Sequence, residues 1–86
     1  MLITVTREDV SFGRRKSVVQ CPIALAAHRA TGLFCKVGQY DMYVFDLDDN
    51  CHKFRLPFEA TEFVNAFDKG YTPEPFTFDL PLEGVK

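Results

Sequence analysis

The sequence predicts an α+β fold, a two-layer sandwich in which two helices cover one face of a four- to five-stranded, mainly antiparallel sheet. Short alternating segments separated by turn residues indicate hairpins, and hairpins require antiparallel pairing. Two longer segments carry helix start and stop signals. A chain of 86 residues with nine Phe and three Tyr has enough large side chains for one core, so we expect residues 1–86 to form a single domain.

The first third of the chain predicts a strand followed by a helix. Ile3 and Val5 alternate with threonines, which is typical of a short strand with one buried face. Thr6 can also cap a one-turn helical start. A helix should begin at Pro22, because a first turn does not need the N–H that proline lacks, and end at Gly32, which readily adopts left-handed backbone angles.

The middle of the chain predicts three strands, two of them joined as a hairpin. Residues 33–37 form the first of these strands, which Gly38 ends. Residues 42–47 and 51–56 are separated by Asp48-Asp49-Asn50, residue types that tolerate turn conformations and bond to their own backbone. We therefore expect a tight hairpin in this part of the chain.

The last third predicts the best-patterned helix and a final strand. Apolar residues recur with the spacing of one helical stripe, and they are Ala60, Phe63, Val64 and Phe67. Gly70 should end this helix. Residues 76–80 alternate strictly between apolar and polar side chains, which predicts a strand that lies at an edge or pairs beside the first strand. The predicted order is β-α-β-β-β-α-β.

Composition and charge exclude several classes of protein. No apolar run approaches the ~18 residues of a membrane span, and the N-terminus lacks the features of a signal peptide. Three cysteines, an odd number, favour a reduced, cytoplasmic setting over a disulfide framework. Residues 1–40 carry six basic and two acidic side chains, whereas residues 41–86 carry four basic and ten acidic ones. This asymmetry indicates a charged partner surface, assembly into a homo-oligomer, or an acidic solvated face.

The hairpin segment resembles the first motif of the haloacid-dehalogenase phosphatases. In that family the first Asp is the nucleophile and the second is the general acid, positions that Asp46 and Asp48 occupy here. Asn50 departs from the motif, and too few residues follow it for the family's phosphate- and Mg²⁺-binding motifs. The spacing also resembles a calcium loop, but Cys51 and Pro57 stand where Gly and Glu are needed. We therefore interpret these residues as a hairpin turn and expect no enzymatic activity.

Cys21 precedes Pro22 and should stand at the N-cap of the first long helix. The helix dipole favours a thiolate there, so Cys21 is a candidate reactive thiol. The alternative is a buried, unreactive thiol beneath the alanine-rich helix. The sequence has no Cys-x-x-Cys pair, and structural zinc sites normally need such pairs, so we expect neither a metal nor another cofactor.

A short basic segment follows Gly13 and has no apolar periodicity. Its side chains, Arg14, Arg15 and Lys16, are candidate phosphate contacts, because phosphates are bound by charge irrespective of sequence. They indicate a small nucleic-acid-binding module as one possible function. The other interpretation is a solvated loop, since no aromatic residue interleaves with these charges and the pI is about 5.6.

Five motifs extend over nearly the whole chain. They are Cys21-Pro22-Ile23-Ala24-Leu25-Ala26, Val37-Gly38, Leu56-Pro57 with Ala60, Phe63-Val64-x-Ala66-Phe67-Asp68-x-Gly70, and Pro75-Phe76-x-Phe78-x-Leu80. Together they resemble a family of small, mostly uncharacterised proteins encoded by bacteriophages and prophages. The resemblance implies an accessory protein of a mobile element, and it brings no catalytic residue. Many such accessory proteins act by binding a host protein.

We therefore expect a non-enzymatic, protein-binding accessory protein of phage or mobile-element origin, for example an inhibitor of a host defence system such as CRISPR. Its partner would be a host or viral protein in the cytoplasm of the host cell, with no membrane involved. A predicted acidic ridge would meet a basic, nucleic-acid-binding surface of the partner as a phosphate mimic. The ridge consists of Asp41, Asp46, Asp48 and Asp49. The alternative function is the nucleic-acid-binding module that uses the basic loop.

Overall fold

Five strands and three helices account for the regular structure of residues 1–85, which are the residues that this computed structural model describes. In chain order they are β1 (Leu2–Val5), α1 (Arg7–Phe12), α2 (Pro22–Thr31), β2 (Phe34–Val37), β3 (Asp41–Phe45), β4 (Cys51–Arg55), α3 (Phe58–Asp68) and β5 (Phe76–Asp79). Every strand pair is antiparallel, and the helices and strands form a two-layer arrangement. The predicted α+β class is therefore confirmed.

The strands divide into two sheets, whereas the sequence predicted a single sheet. β1 pairs with β5, with Ile3 opposite Phe78, which confirms that the last strand lies beside the first. β2, β3 and β4 form a separate sheet in that order. The N–H of Val37 in β2 donates to the carbonyl oxygen of Val18 at 2.7 Å, so the loop before α2 occupies part of the edge of β2 that a further strand would need. Helix α2 packs against both β1 and β2 and connects the two sheets.

Helix α1 adds a third helix to the two that the sequence predicted. The hydroxyl of Thr6 accepts the N–H of Asp9 at 3.1 Å, and the Asp9 carboxylate accepts the N–H of Thr6 at 2.8 Å. With this reciprocal cap, the single turn predicted at Thr6 continues to Phe12. Arg29 of α2 donates to both oxygens of the Asp9 carboxylate, at 2.8 and 2.7 Å, and thereby joins α1 to α2.

Both predicted long helices form close to their predicted ends. α2 begins at Pro22, and Gly32 follows it with a left-handed φ of 71°. The stripe predicted for α3 is buried, and its members are Ala60, Phe63, Val64 and Phe67. The ring of Phe63 stacks on that of Phe76 with 5.0 Å between centroids, so α3 packs against β5.

The buried apolar side chains form one cluster to which both sheets and all three helices contribute. The radius of gyration of 11.7 Å agrees with the roughly 12 Å expected of one packed domain of this length. Within residues 1–85 no helix has the length and apolar character required to cross a membrane.

Candidate functional site

The side chain of Asp46 holds the loop between β3 and β4 from within. Its Oδ1 atom accepts the backbone N–H groups of Asp48 and Asn50, both at 2.9 Å. Its Oδ2 atom lies 2.8 Å from Nε2 of His52. The contact with His52, together with these backbone donors, holds the pKa of Asp46 below its ordinary value. The Asp46 side chain is only 9% exposed. It therefore stabilises the loop from inside and contributes little to the surface of the loop.

The same loop projects one apolar and two acidic side chains into solvent. Leu47 is 82% exposed, and Asp48 and Asp49 are exposed as well. Asp49 has a φ of 65°, a left-handed turn conformation that Asp tolerates better than most residues. The predicted hairpin is therefore confirmed, and we call Leu47, Asp48 and Asp49 the hairpin tip.

Asp41 lies apart from the other carboxylates of the predicted acidic ridge. Asp41 begins β3 and Asp46 follows the end of that strand, so the two are about 17 Å apart at the usual strand rise. A carboxylate oxygen of Asp41 lies 4.0 Å from Nζ of Lys53. Since Asp46 is also turned inward, Asp48 and Asp49 are the two exposed neighbours, and the four carboxylates do not form one continuous ridge.

The geometry of Asp46 does not suit the nucleophile of the phosphatase motif. A nucleophilic carboxylate needs an oxygen directed at its substrate, whereas both oxygens of Asp46 are engaged within the loop. The motif also lies in an antiparallel hairpin, where the phosphatases have a parallel strand. The turn explains these residues without catalysis.

Within the predicted basic loop, Arg15 contributes to the fold. Its guanidinium donates to the carbonyl oxygen of Phe67 in the last turn of α3 and lies 4.4 Å from the centre of the Phe67 ring. Arg14 and Lys16 are exposed. The backbone N–H of Lys16 donates to the carboxylate of Asp68 at 2.8 Å, so an acidic group also stands beside this loop. Arg15 is exposed as well, so all three predicted phosphate contacts are accessible, but the guanidinium of Arg15 is already held at the end of α3.

The three cysteines lie in different environments. Cys21 is 5% exposed and Cys35 is 3% exposed, whereas Cys51 is exposed on β4. Burial raises the pKa of the Cys21 thiol, which is opposite to the effect expected from its position at a helix N-cap. The structure therefore favours the buried, unreactive alternative for Cys21. Among residues 1–85, no three His, Cys, Asp or Glu side chains are grouped closely enough to hold a metal ion.

One face of the three-stranded sheet is open to solvent and carries three aromatic rings. Along β2 and β3 its side chains alternate with buried ones. We call this surface the outer face, and its side chains are Phe34, Lys36, Asp41, Tyr43, Phe45, Cys51, Lys53 and Arg55. The rings of Phe34 and Phe45 lie 5.6 Å apart between centroids, and Phe34 is 51% exposed.

The outer face is basic although the whole chain has a net charge of −2. Its two lysines and one arginine outnumber the single carboxylate of Asp41. The Nζ atom of Lys36 lies 6.0 Å from the ring centre of Phe34 and 5.8 Å from that of Phe45, so charges and rings are neighbours. The sequence alone did not reveal this face, because its members come from three strands. The available signal was the alternation of its residues with buried ones along each strand.

Comparisons with known proteins assign no family to this chain. A scan against protein-family models, a search of curated proteins and a search of solved structures each gave no match. The resemblance to phage-encoded proteins therefore stays a prediction, and a functional proposal has to depend on the two surfaces described above.

Proposed function

We propose that the chain is a non-enzymatic binding protein of phage or mobile-element origin that engages a host or viral protein through the hairpin tip. The observation that carries this proposal is a rigid loop that holds Leu47 82% exposed. A leucine in this position adds little to the stability of the fold. Burial in a partner would remove its apolar surface from water, which favours association.

The rigidity of the loop lowers the cost of binding. Ordering a loop on association costs free energy, and here the backbone of the loop is ordered beforehand. The backbone N–H of Asp46 donates to the carbonyl oxygen of Asn50 at 3.0 Å, and that of Asp49 donates to the carbonyl oxygen of Asp46 at 3.0 Å. With the bonds of the Asp46 side chain, these contacts present the hairpin tip in one conformation.

The charges of the tip define the surface that it fits. Asp48 and Asp49 follow Leu47 in the chain and are exposed, so a complementary surface has an apolar pocket with Lys or Arg at its rim. Surfaces of this kind occur on proteins that bind nucleic acids, because phosphate contacts need Lys and Arg. Inhibition of a host defence nuclease such as a CRISPR effector is one function that this chemistry supports.

Two further features support binding rather than catalysis. The Asp46 carboxylate is occupied within the loop, and burial raises the pKa of the Cys21 thiol, so neither group is prepared for nucleophilic attack.

The three cysteines, Cys21, Cys35 and Cys51, are all free thiols, which agrees with the reducing cytoplasm of a host cell as the place of action.

Affinity capture from bacterial lysate, with and without phage infection, tests the proposal. The tagged protein is compared with a tip variant in which Leu47→Ser, Asp48→Lys and Asp49→Lys are combined. A control variant, Glu59→Lys with Glu62→Lys, reverses two exposed charges on α3 and leaves the tip unchanged. We expect mass spectrometry to identify proteins that the wild type and the control retain and the tip variant loses.

Association kinetics with a purified partner give the quantitative test. Reversing the charges of Asp48 and Asp49 should slow association about tenfold or more at low ionic strength, because opposite charges steer the encounter. The difference should shrink as the salt concentration rises. Capture of the same proteins by the tip variant, or equal association rates, would contradict the proposal.

A further inference from the structure

We propose that the outer face of the three-stranded sheet binds single-stranded nucleic acid, with bases stacked on its aromatic rings and phosphates bound by its lysines and arginine. This site is separate from the hairpin tip and does not depend on the function proposed for it. Two observations lead to the proposal: the rings share one solvent-exposed side of a sheet, and each ring has a cation as a neighbour.

The pair of rings formed by Phe34 and Phe45 and the ring of Tyr43 offer two stacking positions for bases. Phe34 and Phe45 lie on adjacent strands, with centroids 5.6 Å apart and planes inclined by 45°. Tyr43 lies on the same face of β3, two residues before Phe45, and therefore about 7 Å from it along the strand. Flexible single strands can place successive bases on such rings irrespective of sequence, because every base has a π-face.

The cations surround the central ring. Strand register places Lys36 opposite Tyr43 on one side and Lys53 opposite Tyr43 on the other. Arg55 is the next residue of β4 on the same face, and its guanidinium lies 5.9 Å from the ring centre of Tyr40. A base stacked on Tyr43 therefore carries its phosphates into a region of positive charge on either side.

This chemistry favours nucleic acid over a protein partner. Lysine is depleted at the centre of protein interfaces, whereas Lys36 and Lys53 stand beside the central ring of this face. A duplex is also a poor fit, because it hides the faces of its bases within its own stack. Single-stranded RNA and single-stranded DNA share the bases and phosphates that the outer face would contact, so the inference covers both.

The acidic groups around the outer face limit its extent and its affinity. The hairpin tip adjoins the end of the sheet at Phe45 and Cys51, so phosphates are repelled there and directed towards Lys36. Asp41 lies 4.0 Å from Lys53 and partly offsets its charge. With three cations on the face, we expect the logarithm of the binding constant to fall with the logarithm of the salt concentration at a slope of about −2.

Fluorescence anisotropy tests the proposal with labelled oligo(dT) and oligo(U) of about ten nucleotides and a duplex of equal length. The full chain should bind at least one single strand tenfold more tightly than the duplex. Phe34→Leu keeps an apolar side chain but removes a stacking ring, and it should weaken binding about fivefold or more. Lys36→Gln with Lys53→Gln should reduce the slope to about −0.7. The control, Arg14→Gln with Lys16→Gln, removes two exposed cations of the basic loop and should change affinity less than twofold.

Three results would overturn the proposal. They are no binding to either single strand at 20 mM NaCl, equal binding of the duplex, and a loss in the Arg14 and Lys16 control as large as that in the Lys36 and Lys53 variant. Thermal unfolding followed by circular dichroism checks that each variant is folded. If Phe34→Leu is unstable, the proposal is tested by the salt slope of the Lys36 and Lys53 variant. Both lysines are exposed, so their replacement should leave the fold intact. Protein capture by the tip and oligonucleotide binding by the outer face can fail independently, so the two proposals are tested separately.

Discussion

The pair formed by Asp9 and Arg29 provides a direct test of how the helices are held together. The Asp9 side chain is 5% exposed and that of Arg29 is 53% exposed, so a buried carboxylate faces a cation at the surface. Arg29 donates to both carboxylate oxygens, at 2.8 and 2.7 Å, and Asp9 also accepts the N–H of Thr6. Asp9→Ala therefore removes the reciprocal cap of α1 and its ionic link to α2.

We expect Asp9→Ala to lower the free energy of unfolding by about 2–4 kcal/mol. Loss of a helix cap costs about 1 kcal/mol, and loss of hydrogen bonds to a charged group costs about 1.5–3 kcal/mol. The exposure of Arg29 moderates the second contribution, because solvent screens its charge. A domain of this size has a total stability of about 4–13 kcal/mol, so the thermal midpoint should fall by roughly 10 °C or more.

A double-mutant cycle measured by urea unfolding separates the interaction energy of Asp9 and Arg29 from the contributions of their other contacts. Arg29→Met keeps much of the side-chain stem and leaves the Asp9 carboxylate buried without its cation, so it should also cost about 2 kcal/mol or more. The double variant should then cost at least about 1 kcal/mol less than the sum of the two single variants. Costs that add to within about 0.5 kcal/mol would refute the reasoning.

The same pair determines a response to acid. Burial by itself raises the pKa of Asp9, but the hydrogen bonds from Arg29 and Thr6 outweigh burial and hold the pKa below its ordinary value. Such a group stabilises the fold above its unfolded pKa of about 3.9 and loses that contribution as the pH falls through the folded pKa. Arg29→Met removes the lowering contact and keeps the burial, so its acid unfolding should begin at a higher pH than that of the wild type.

Three further substitutions have expected effects on the free energy of unfolding, measured with urea. Gly13→Ala would place a methyl carbon 2.6 Å from Cδ of Pro22 and should lower the free energy of unfolding by about 1–3 kcal/mol. In the control, Gly84→Ala, the added methyl group meets no atom within 4 Å and should leave the stability unchanged. Equal costs for the two variants would contradict the close approach of Gly13 to Pro22. Arg15→Gln removes a charged donor and a cation–π contact at the end of α3 and should cost about 1–2 kcal/mol; a cost below about 0.5 kcal/mol would show that Arg15 is dispensable. Met42→Ala truncates a side chain that is 0% exposed and should cost about 2–5 kcal/mol; a neutral result would remove Met42 from the core.

The features that could be predicted from the sequence depend on residues a few positions apart. The stripe of α3 is set by helical spacing alone, and Phe63 and Phe67 are both buried as predicted. The cap of α1 needs only Thr6 and Asp9. The hairpin turn at Asp49 likewise follows from local backbone preferences.

The features that could not be predicted join residues far apart in the chain. Asp9 and Arg29 are 20 positions apart, and Arg15 and Phe67 are 52 positions apart. Each pair is a single contact in three dimensions that no periodic pattern encodes. The division into two sheets has the same origin, because it involves a backbone bond between Val37 and a loop residue that precedes α2.

Closeness in sequence was also a poor guide to the acidic surface. Asp46 and Asp48 are two positions apart, yet the first carboxylate bonds to the loop backbone and the second is exposed. The turn changes the direction of each successive side chain, so carboxylates that are neighbours in the chain need not share a surface. The outer face shows the converse, because Lys36 and Lys53 share a surface only through the register of β2, β3 and β4.

Along strand β3, core residues alternate with residues of the face that we propose to bind nucleic acid. Met42 and Val44 are 0% exposed and belong to the core, whereas Tyr43 and Phe45 lie on the outer face. Because β3 is the central strand of its sheet, its backbone bonds to both neighbours whichever side chains it carries. Substitutions at positions 43 and 45 can therefore alter binding while the strand pairing remains, but those at positions 42 and 44 cannot avoid the core.

The edge strand of the same sheet carries two of the three cations of the outer face. β4 is an edge strand, and edge strands invite pairing with a second copy of the chain. Lys53 and Arg55 are exposed on β4, and in a symmetric antiparallel pair of β4 strands they would bring like charges close together, which is destabilising. The cations that we propose to bind phosphates thus also oppose edge-to-edge pairing. A variant without both charges should consequently lose affinity for oligonucleotides and gain a tendency to self-associate, because the same two side chains control both.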